Sequence, residues 1–268
     1  MLFLSDRDIE NNLTMKETIE TVEMAFKEYA KRNVVMPPRS TIMVEKHNGS
    51  ISFMPSYLTD LEAQATKIIS IYPGNREKGL PTTVAWIIVN DPETGMVKAF
   101  MDATYLTAMR TGAITGVAAK YLAPKDAKVV AIFGAGIQGR TQVMAACAVR
   151  DIEKVFVYDL YPEARKKFAE EMSAKLGIQV IAAESGEEAC RDADIVLTAT
   201  TSPKPVLKRD WLKERVHVSA TGAFSPDWRE LDTATVAESK LVIDDMEGIE
   251  LEAGDILIPL EEGAITWE

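Results

Sequence analysis

The most constraining feature of this sequence is the segment 127–140, AKVVAIFGAGIQGR. Its first half, Val129 to Phe133, is an unbroken apolar run, which is typical of a strand buried on both faces of a parallel sheet. Gly134, Gly136 and Gly139 then complete a G-x-G-x-x-G motif. The first glycine permits a tight turn, the second lets a pyrophosphate approach the backbone, and the third lets helix and strand pack closely. The residues that follow favour a helix, whose N-terminus attracts phosphate.

An acidic residue extends this pattern at the end of a second strand-like run. Lys154 to Tyr158, KVFVY, is followed by Asp159, twenty positions after Gly139. A carboxylate at this place accepts a hydrogen bond from a ribose 2′-OH and repels a 2′-phosphate, so the sequence favours NAD over NADP. Arg165 and Lys166 follow closely enough to offset that repulsion. A glycine turn with an unrelated aspartate is the alternative interpretation.

Strands and helices continue to alternate after Asp159, which predicts an α/β fold with a Rossmann-type, doubly wound parallel sheet. The predicted helices cover 162–176 and about 187–191. The further predicted strands are IQVIA from 178, DIVLTAT from 194, VHVSAT from 216 and LVIDD from 241.

Small polar residues follow two of these strands. Ligands of doubly wound sheets lie beyond the carboxyl ends of the strands. This placement predicts that the following residues line the cofactor cleft: Thr198, Thr200, Thr201, Thr221 and Gly222. The same residue types also suit ordinary turns.

Residues 1–123 precede this domain and predict a separate α+β domain, with the boundary near Pro124 and a dinucleotide-binding domain over 124–268. A helix-capping signal begins at Ser5, and an amphipathic helix is predicted from about Met15 to Arg32. Runs of β-prone residues separated by turn signals then predict a largely antiparallel sheet.

One lysine interrupts an apolar strand of this first domain. Lys67 lies in ATKIISIY, among apolar and small residues. A buried lysine costs free energy unless an anion pairs with it, so Lys67 is a candidate for chemistry. A lysine on an edge strand, or one whose amine reaches solvent, is the alternative.

Composition excludes several functions. A net charge of −11 argues against nucleic-acid binding, and no apolar run of about 18 residues is present to cross a membrane. Acids close to the N-terminus are unlike a signal peptide, so a cytoplasmic protein is expected. Cys147 and Cys190 fall in predicted helices and are expected to be buried thiols. The two histidines are too few and too far apart in sequence for a metal site, so none is predicted.

Several stretches together resemble the ornithine cyclodeaminase/mu-crystallin family, which includes alanine dehydrogenases and ketimine reductases. These stretches occur in the family's order across nearly the whole chain. They are MPPRS at 36, TKIISIYPGNREKGLPT at 66, ETGMVKAFMDATYLTAMRTGA at 93, GAGIQG at 134 and ATGAFSPDWRELD at 220.

The resemblance implies roles for individual residues. Arg39 would hold a substrate carboxylate, and Lys67 would face the substrate and move a proton. Further positions correspond to cofactor contacts: Thr82, Arg110, Thr111, Ile137, Gln138, Asp159 and Thr200. The cofactor implied is NAD, and the family implies a homodimer built through the N-terminal sheets.

The expected activity is an NAD(H)-dependent oxidoreduction at the Cα–N bond of a small amino or imino acid, as in alanine dehydrogenases or ketimine reductases. Ornithine cyclodeaminase is the first alternative, although Phe224 stands where cyclodeaminases have an acidic residue. Asp227 is nearby but is interpreted as a helix cap. The second alternative is a non-catalytic, mu-crystallin-like binding protein. The resemblance implies that the domain 124–268 lacks the family's C-terminal segment, which returns to the first domain.

Overall fold

The computed structural model describes residues 1–267, which divide into two compact units. The first covers Met1–Ile114 and the second begins at Thr115. The division falls inside the helix Thr104–Leu122, whereas the sequence places a domain boundary near Pro124. The domain limits from sequence stay a prediction.

The first unit is built on one mixed sheet. Its strands are β1 (Leu2–Leu4), β2 (Val34–Val35), β3 (Ser40–Val44), β4 (Gly49–Leu58), β5 (Ala63–Ile71), β6 (Thr83–Asn90) and β7 (Val97–Asp102). Its helices are α1 (Asp6–Asn12), α2 (Met15–Ala30) and the first half of α3 (Thr104–Leu122).

The strand order in this sheet is β1-β7-β6-β5-β4-β2, with β3 also pairing with β4. All pairs are antiparallel except β1 with β7, which confirms the largely antiparallel sheet predicted from sequence. Strand β1 was missed because three residues are too few to show alternation. Strand β5 lies between β4 and β6, so the alternative in which Lys67 lies on an edge strand is excluded.

Both N-terminal helices begin with the capping signals that the sequence contains. Ser5 and Asp8 form a capping box at α1, and Thr14 and Glu17 form another at α2. Each box satisfies two backbone N–H groups that a helix start leaves without partners. Asp6, in the first turn of α1, accepts a hydrogen bond of 2.7 Å through its Oδ1 from the Tyr105 N–H at the start of α3.

The second unit contains the alternating elements expected from sequence. Its strands are β8 (Val129–Phe133), β9 (Lys154–Tyr158), β10 (Gln179–Ala182), β11 (Ile195–Thr198) and β12 (His217–Ala220). Its further helices are α4 (Ile137–Val149), α5 (Pro162–Leu176), α6 (Gly186–Cys190), α7 (Thr233–Ala237), α8 (Met246–Glu252) and α9 (Gly254–Glu261).

All five strands are parallel, in the order β10-β9-β8-β11-β12, which confirms the doubly wound sheet. The order reverses direction between β8 and β11. Strand β8 is buried on both faces, since Val130 and Ile132 pack in one apolar cluster while Ala131 and Phe133 pack in another. This burial explains why the strand reads as a continuous apolar run.

Two local predictions near the C-terminus are wrong. Residues 241–245, LVIDD, form no strand; Leu241, Val242 and Ile243 are 38–60% exposed, and no neighbouring strand pairs with them in the described chain. Apolar, β-prone residues form a strand only where a sheet edge accepts them. Asp227 caps no helix, because it lies in a turn and no helix begins directly after it. The cap is Asp232, whose side chain accepts from the Thr235 N–H at the start of α7.

Both cysteines lie in helices, as predicted; Cys190 is buried as expected, whereas Cys147 is half-buried. Cys147 is in α4 and Cys190 is in α6. Burial raises the pKa of each thiol to about 12, so neither is a reactive thiolate near neutral pH. Among residues 1–267, no helix combines the length and apolar character needed to cross a membrane.

Candidate functional site

The turn between β8 and α4 has the geometry that its glycines predict. Gly134 adopts φ +103°, and a Cβ on it would clash with the carbonyl of Ala199. A Cβ on Gly139 would clash with the Gly134 carbonyl oxygen. The first glycine therefore makes the sharp turn, and the third lets α4 pack against the end of β8.

The middle glycine leaves an open backbone surface. A Cβ built on Gly136 would meet none of the described atoms within 4 Å. Gly136 is also the N-cap of α4, without a side-chain cap, and Ile137 and Gln138 form the first helical turn behind it. The N–H groups of a first helical turn lack intrahelical partners and carry the positive end of the helix dipole. This surface suits the close approach of an anion such as a pyrophosphate.

Asp159 lies directly beside this turn. Its Oδ2 accepts a hydrogen bond of 2.9 Å from the Ala135 N–H, and its Oδ1 accepts one of 3.0 Å from the Tyr161 N–H. These bonds fix the carboxylate next to the glycine motif while each oxygen retains further acceptor capacity. The geometry is compatible with the ribose contact expected from sequence, which stays a prediction.

Thr200 and Gly222 follow β11 and β12 and are brought together by a residue that sequence reasoning missed. Glu230, which is 0% exposed, accepts hydrogen bonds from both backbones, at 2.6 and 2.7 Å. A glutamate in an irregular segment gives no sequence signal of burial. The one available clue is its position in the stretch ATGAFSPDWRELD, where the resemblance is strong.

Three side chains of the first unit form a group of positive charges in which two arginines repel the charge of a lysine. Lys67 is half-buried on β5, Arg39 directly precedes β3, and Arg110 lies on α3. The pKa of the Lys67 amine is lowered to about 8, mainly by burial and further by the charges of Arg110 and Arg39. An amine with this pKa exchanges protons readily near neutral pH, and an excess of positive charge around it favours an anionic ligand.

The other residues predicted in the first unit show less specific surroundings. The carbonyl of Thr82, just before β6, accepts a hydrogen bond of 2.8 Å from the Tyr72 N–H. The Thr111 hydroxyl donates to the Thr107 carbonyl of its own helix at 3.0 Å. Their proposed cofactor contacts stay predictions.

The position that is acidic in cyclodeaminases is solvent-exposed in this chain. Phe224 is 57% exposed and packs edge-on against Trp228, with ring centroids 5.0 Å apart. A phenyl ring has no exchangeable proton, so this position supplies no acid or base.

Comparison with known proteins identifies one family across the chain. The family model for the ornithine cyclodeaminase/mu-crystallin family matches residues 1–266. An alanine dehydrogenase from Archaeoglobus fulgidus is 39% identical over 267 residues, covering 100% of this chain and 80% of the relative.

Solved structures give the same result. The Δ1-pyrroline-2-carboxylate reductase of Thermococcus litoralis, in complex with NADH and L-proline, is 53% identical with a TM-score of 0.95, covering 99% of this chain and 82% of that one. An archaeal alanine dehydrogenase dimer with bound NAD is 39% identical with a TM-score of 0.90, covering 99% and 80%.

Proposed function

We propose that this chain, which belongs to the ornithine cyclodeaminase/mu-crystallin family, is an NAD(H)-dependent oxidoreductase that acts on the Cα–N bond of a small amino or imino acid. Within that class, we infer that it reduces a cyclic imino acid of the Δ1-pyrroline-2-carboxylate type. The observation that carries the proposal is the lysine with a pKa of about 8 beside two arginines. The 53% identity to a reductase bound to NADH and L-proline supports this substrate class.

Lys67 is the proton-transfer residue in this mechanism. Reduction of a cyclic C=N bond adds a hydride at Cα and a proton at the ring nitrogen. When bound, the reduced nicotinamide would supply the hydride. The Lys67 ammonium supplies the proton to the ring nitrogen, and in the reverse direction its neutral amine accepts that proton. A pKa of about 8 keeps both forms accessible near neutral pH.

The arginines bind negative charge. Arg39 holds the substrate carboxylate through two parallel, charge-assisted hydrogen bonds, a geometry that a guanidinium provides and a lysine does not. A bound carboxylate also offsets the like-charge repulsion around Lys67. Arg110 holds phosphate charge of the cofactor, and Thr82 and Thr111 are assigned to the same ligand by family resemblance.

The second unit provides the dinucleotide site. The open backbone at Gly136 and the uncapped start of α4 suit the pyrophosphate, because a side chain at that glycine would occupy this space. The Asp159 carboxylate suits the ribose hydroxyls of NAD and disfavours the 2′-phosphate of NADP. The residues present therefore fit NAD(H).

Alanine dehydrogenation is the second candidate, favoured by the 39% identity to the Archaeoglobus fulgidus enzyme. In that reaction the imine formed at Cα is hydrolysed by water to a keto acid and ammonia. Ornithine cyclodeamination is disfavoured, since Phe224 supplies no proton-transfer group.

We also infer a homodimer formed through the sheet of the first unit. An archaeal alanine dehydrogenase with 39% identity is a dimer. The sheet of this chain has a row of aromatic residues, in which Phe100 stacks on Trp86 at 5.3 Å and meets Phe3 edge-on at 6.3 Å. Trp86 and Phe3 are 38% and 66% exposed, so this row offers apolar surface for burial. Light scattering of the purified protein tests the dimer, and a monomeric mass would contradict it.

Activity measurements test the proposed function. We expect NADH oxidation with Δ1-pyrroline-2-carboxylate and NAD⁺ reduction with L-proline; faster turnover of alanine would favour the second candidate. Lys67→Ala should lower kcat by about 10²- to 10⁴-fold while NADH affinity is preserved. Lys98→Ala, which removes an exposed lysine from the same sheet, is the matched control and should be active. Equal activity of Lys67→Ala and wild type would contradict an enzymatic role for Lys67.

A further inference from the structure

A single buried carboxylate connects the loops that follow β11 and β12. The Glu230 Oε1 accepts hydrogen bonds from the Thr200 N–H at 2.6 Å and from its hydroxyl at 2.7 Å. The Oε2 accepts from the Thr198 hydroxyl and from the Gly222 N–H, both at 2.7 Å. Each oxygen accepts from one backbone N–H and one hydroxyl, and the carboxylate form satisfies all four donors at once.

The surrounding structure holds this carboxylate in place. The N–H groups of Glu230 and Leu231 both donate to Asp255 Oδ1 at 2.8 Å. The Glu230 carbonyl accepts from the N–H groups of Val206 and Leu207, at 2.7 and 3.0 Å. The backbone of Glu230 is thus bonded on both sides, which fixes its side chain between the two loops.

The two loops also approach each other too closely for a side chain. A Cβ on Gly222 would clash with the Thr200 carbonyl oxygen and with the Glu230 carboxylate. The close approach and the shared carboxylate together define one arrangement of both loops. Gly222 does not adopt a positive φ, so its backbone conformation does not require a glycine. A glycine is required at this position because any side chain would clash with these neighbouring atoms.

The topology of the sheet indicates which part of a dinucleotide would meet these loops. The strand order reverses between β8 and β11, and a dinucleotide lies across such a reversal. The glycine motif follows β8, and Asp159 follows β9 on one side of the reversal. If Asp159 takes the adenosine ribose, the nicotinamide half lies on the other side, beyond β11 and β12. This step rests on the proposed function.

We propose that Glu230 is a positioning residue for the nicotinamide half of the cofactor, and that its fixed negative charge favours the oxidised ring over the reduced ring. The carboxylate holds the loops after β11 and β12 in one conformation, and the nicotinamide rests against their backbones. The oxidised ring is positively charged and the reduced ring is neutral. A buried anion beneath the site therefore stabilises NAD⁺ relative to NADH.

Calorimetric titration of NAD⁺ and of NADH tests this assignment. In Glu230→Gln the shape is preserved, but the charge is lost and the amide nitrogen faces donors. We expect the Kd of NAD⁺ to rise by about 30-fold and that of NADH by about threefold, a tenfold change in their ratio, as one charge interaction across about 12 Å at an effective dielectric of about 20 gives. Asp232→Asn is the matched control. It neutralises the cap of α7 two residues away, and the Kd ratio should match wild type even where thermal stability falls.

A second pair of variants covers the case in which Glu230→Gln does not fold. Thr200→Val removes one donor and leaves the charge, so both Kd values should rise by a similar factor with an unchanged ratio. Thr200→Ser keeps the hydroxyl that Thr200→Val removes, so it should bind NAD⁺ and NADH with wild-type affinity. If wild type binds both nucleotides, and Glu230→Gln and Thr200→Val each bind them within twofold of wild type, the role of Glu230 is refuted while the proposed function stands. If wild type binds neither nucleotide, both fall.

Discussion

Lys67 should destabilise the folded protein, so replacing it should make the protein more stable. Its pKa falls from 10.5 in the unfolded chain to about 8 in the folded one. This difference of about 2.5 units corresponds to about 3 kcal/mol against the charged form below pH 8. Partial exposure of the side chain screens the effect, so we expect Lys67→Met to raise the free energy of unfolding by about 1–2 kcal/mol at pH 7.

The effect should depend on pH in a defined direction. Between pH 8 and 10.5 the unfolded chain binds more protons at Lys67 than the folded chain does. The free energy of unfolding of wild type therefore gains a contribution from Lys67 as pH rises through this window. Lys67→Met lacks that contribution, so the stability difference between variant and wild type should shrink as the pH approaches 10.5.

Urea denaturation at pH 7, 9 and 10 measures this difference. Lys98→Met is the control, because Lys98 is exposed, pairs with Asp91 at 2.8 Å and lies in the same sheet. It should change stability little at any of these pH values. The reasoning is refuted if Lys67→Met is less stable than wild type at pH 7, or if its stability difference from wild type does not vary with pH.

Three further predictions concern Lys67, Arg39 and Asp255. The kcat/KM for imine reduction should fall as pH rises above about 8, while that for amine oxidation should rise to a plateau there, because the two directions need protonated and neutral Lys67 respectively; steady-state rates from pH 6 to 10 check this, and profiles of the same slope would contradict it. Arg39→Lys should raise KM for the imino acid by about 10- to 100-fold with a smaller effect on kcat, since a two-point carboxylate contact becomes a single one; equal KM values in initial-rate measurements would count against the carboxylate role. Asp255 is 8% exposed, and burial raises its pKa to about 6, although the hydrogen bond from Leu231 acts in the opposite direction. Between pH 3.8 and 6 the folded state therefore binds more protons at Asp255 than the unfolded state does. The free energy of unfolding should fall by about 3 kcal/mol as the pH rises through this window. Asp255→Asn keeps the acceptor oxygen and should remove that loss, which denaturation at pH 4 and 7 measures; an unchanged pH dependence would contradict the assignment.

Most of the fold could be predicted because the patterns that specify it involve residues close together in the sequence. The apolar run Val129 to Phe133 is buried on both sides, and alternating strands and helices gave the parallel sheet. The motif glycines could be assigned structural roles because their spacing specifies those roles, although the carbonyl that excludes a side chain at Gly134 belongs to Ala199, 65 positions away. The capping signal at Ser5 was visible in the sequence because its partner, Asp8, is three positions away.

The errors arise where structure depends on distant partners. Residues 241–245 have the composition of a strand, yet pairing requires an available sheet edge, which sequence does not reveal. Strand β1 exists because Leu2 to Leu4 pair with β7 about a hundred positions away. Asp227 resembled a cap, but the helix begins after Asp232 instead.

The residues of the candidate site were also hard to predict where they depend on partners far away in the sequence. Arg39, Lys67 and Arg110 are far apart in sequence, and only family resemblance linked them before the structure placed their charges within mutual influence. Glu230 was missed because its importance comes from contacts with Thr198, Thr200 and Gly222, none of which is near it in a periodic pattern. Long-range hydrogen bonds of this kind leave no local signature in a single sequence.

Isotope transfer tests the central claim most directly. NADH that carries deuterium at C4 of the nicotinamide, on the face that is transferred, should react with Δ1-pyrroline-2-carboxylate to give L-proline with one deuterium at Cα, as detected by mass spectrometry and NMR. Label at Cα would establish that this chain reduces the Cα–N bond of an imino acid with a nicotinamide hydride. Unlabelled proline, label at another carbon, or no product from folded protein that binds NADH would contradict the account.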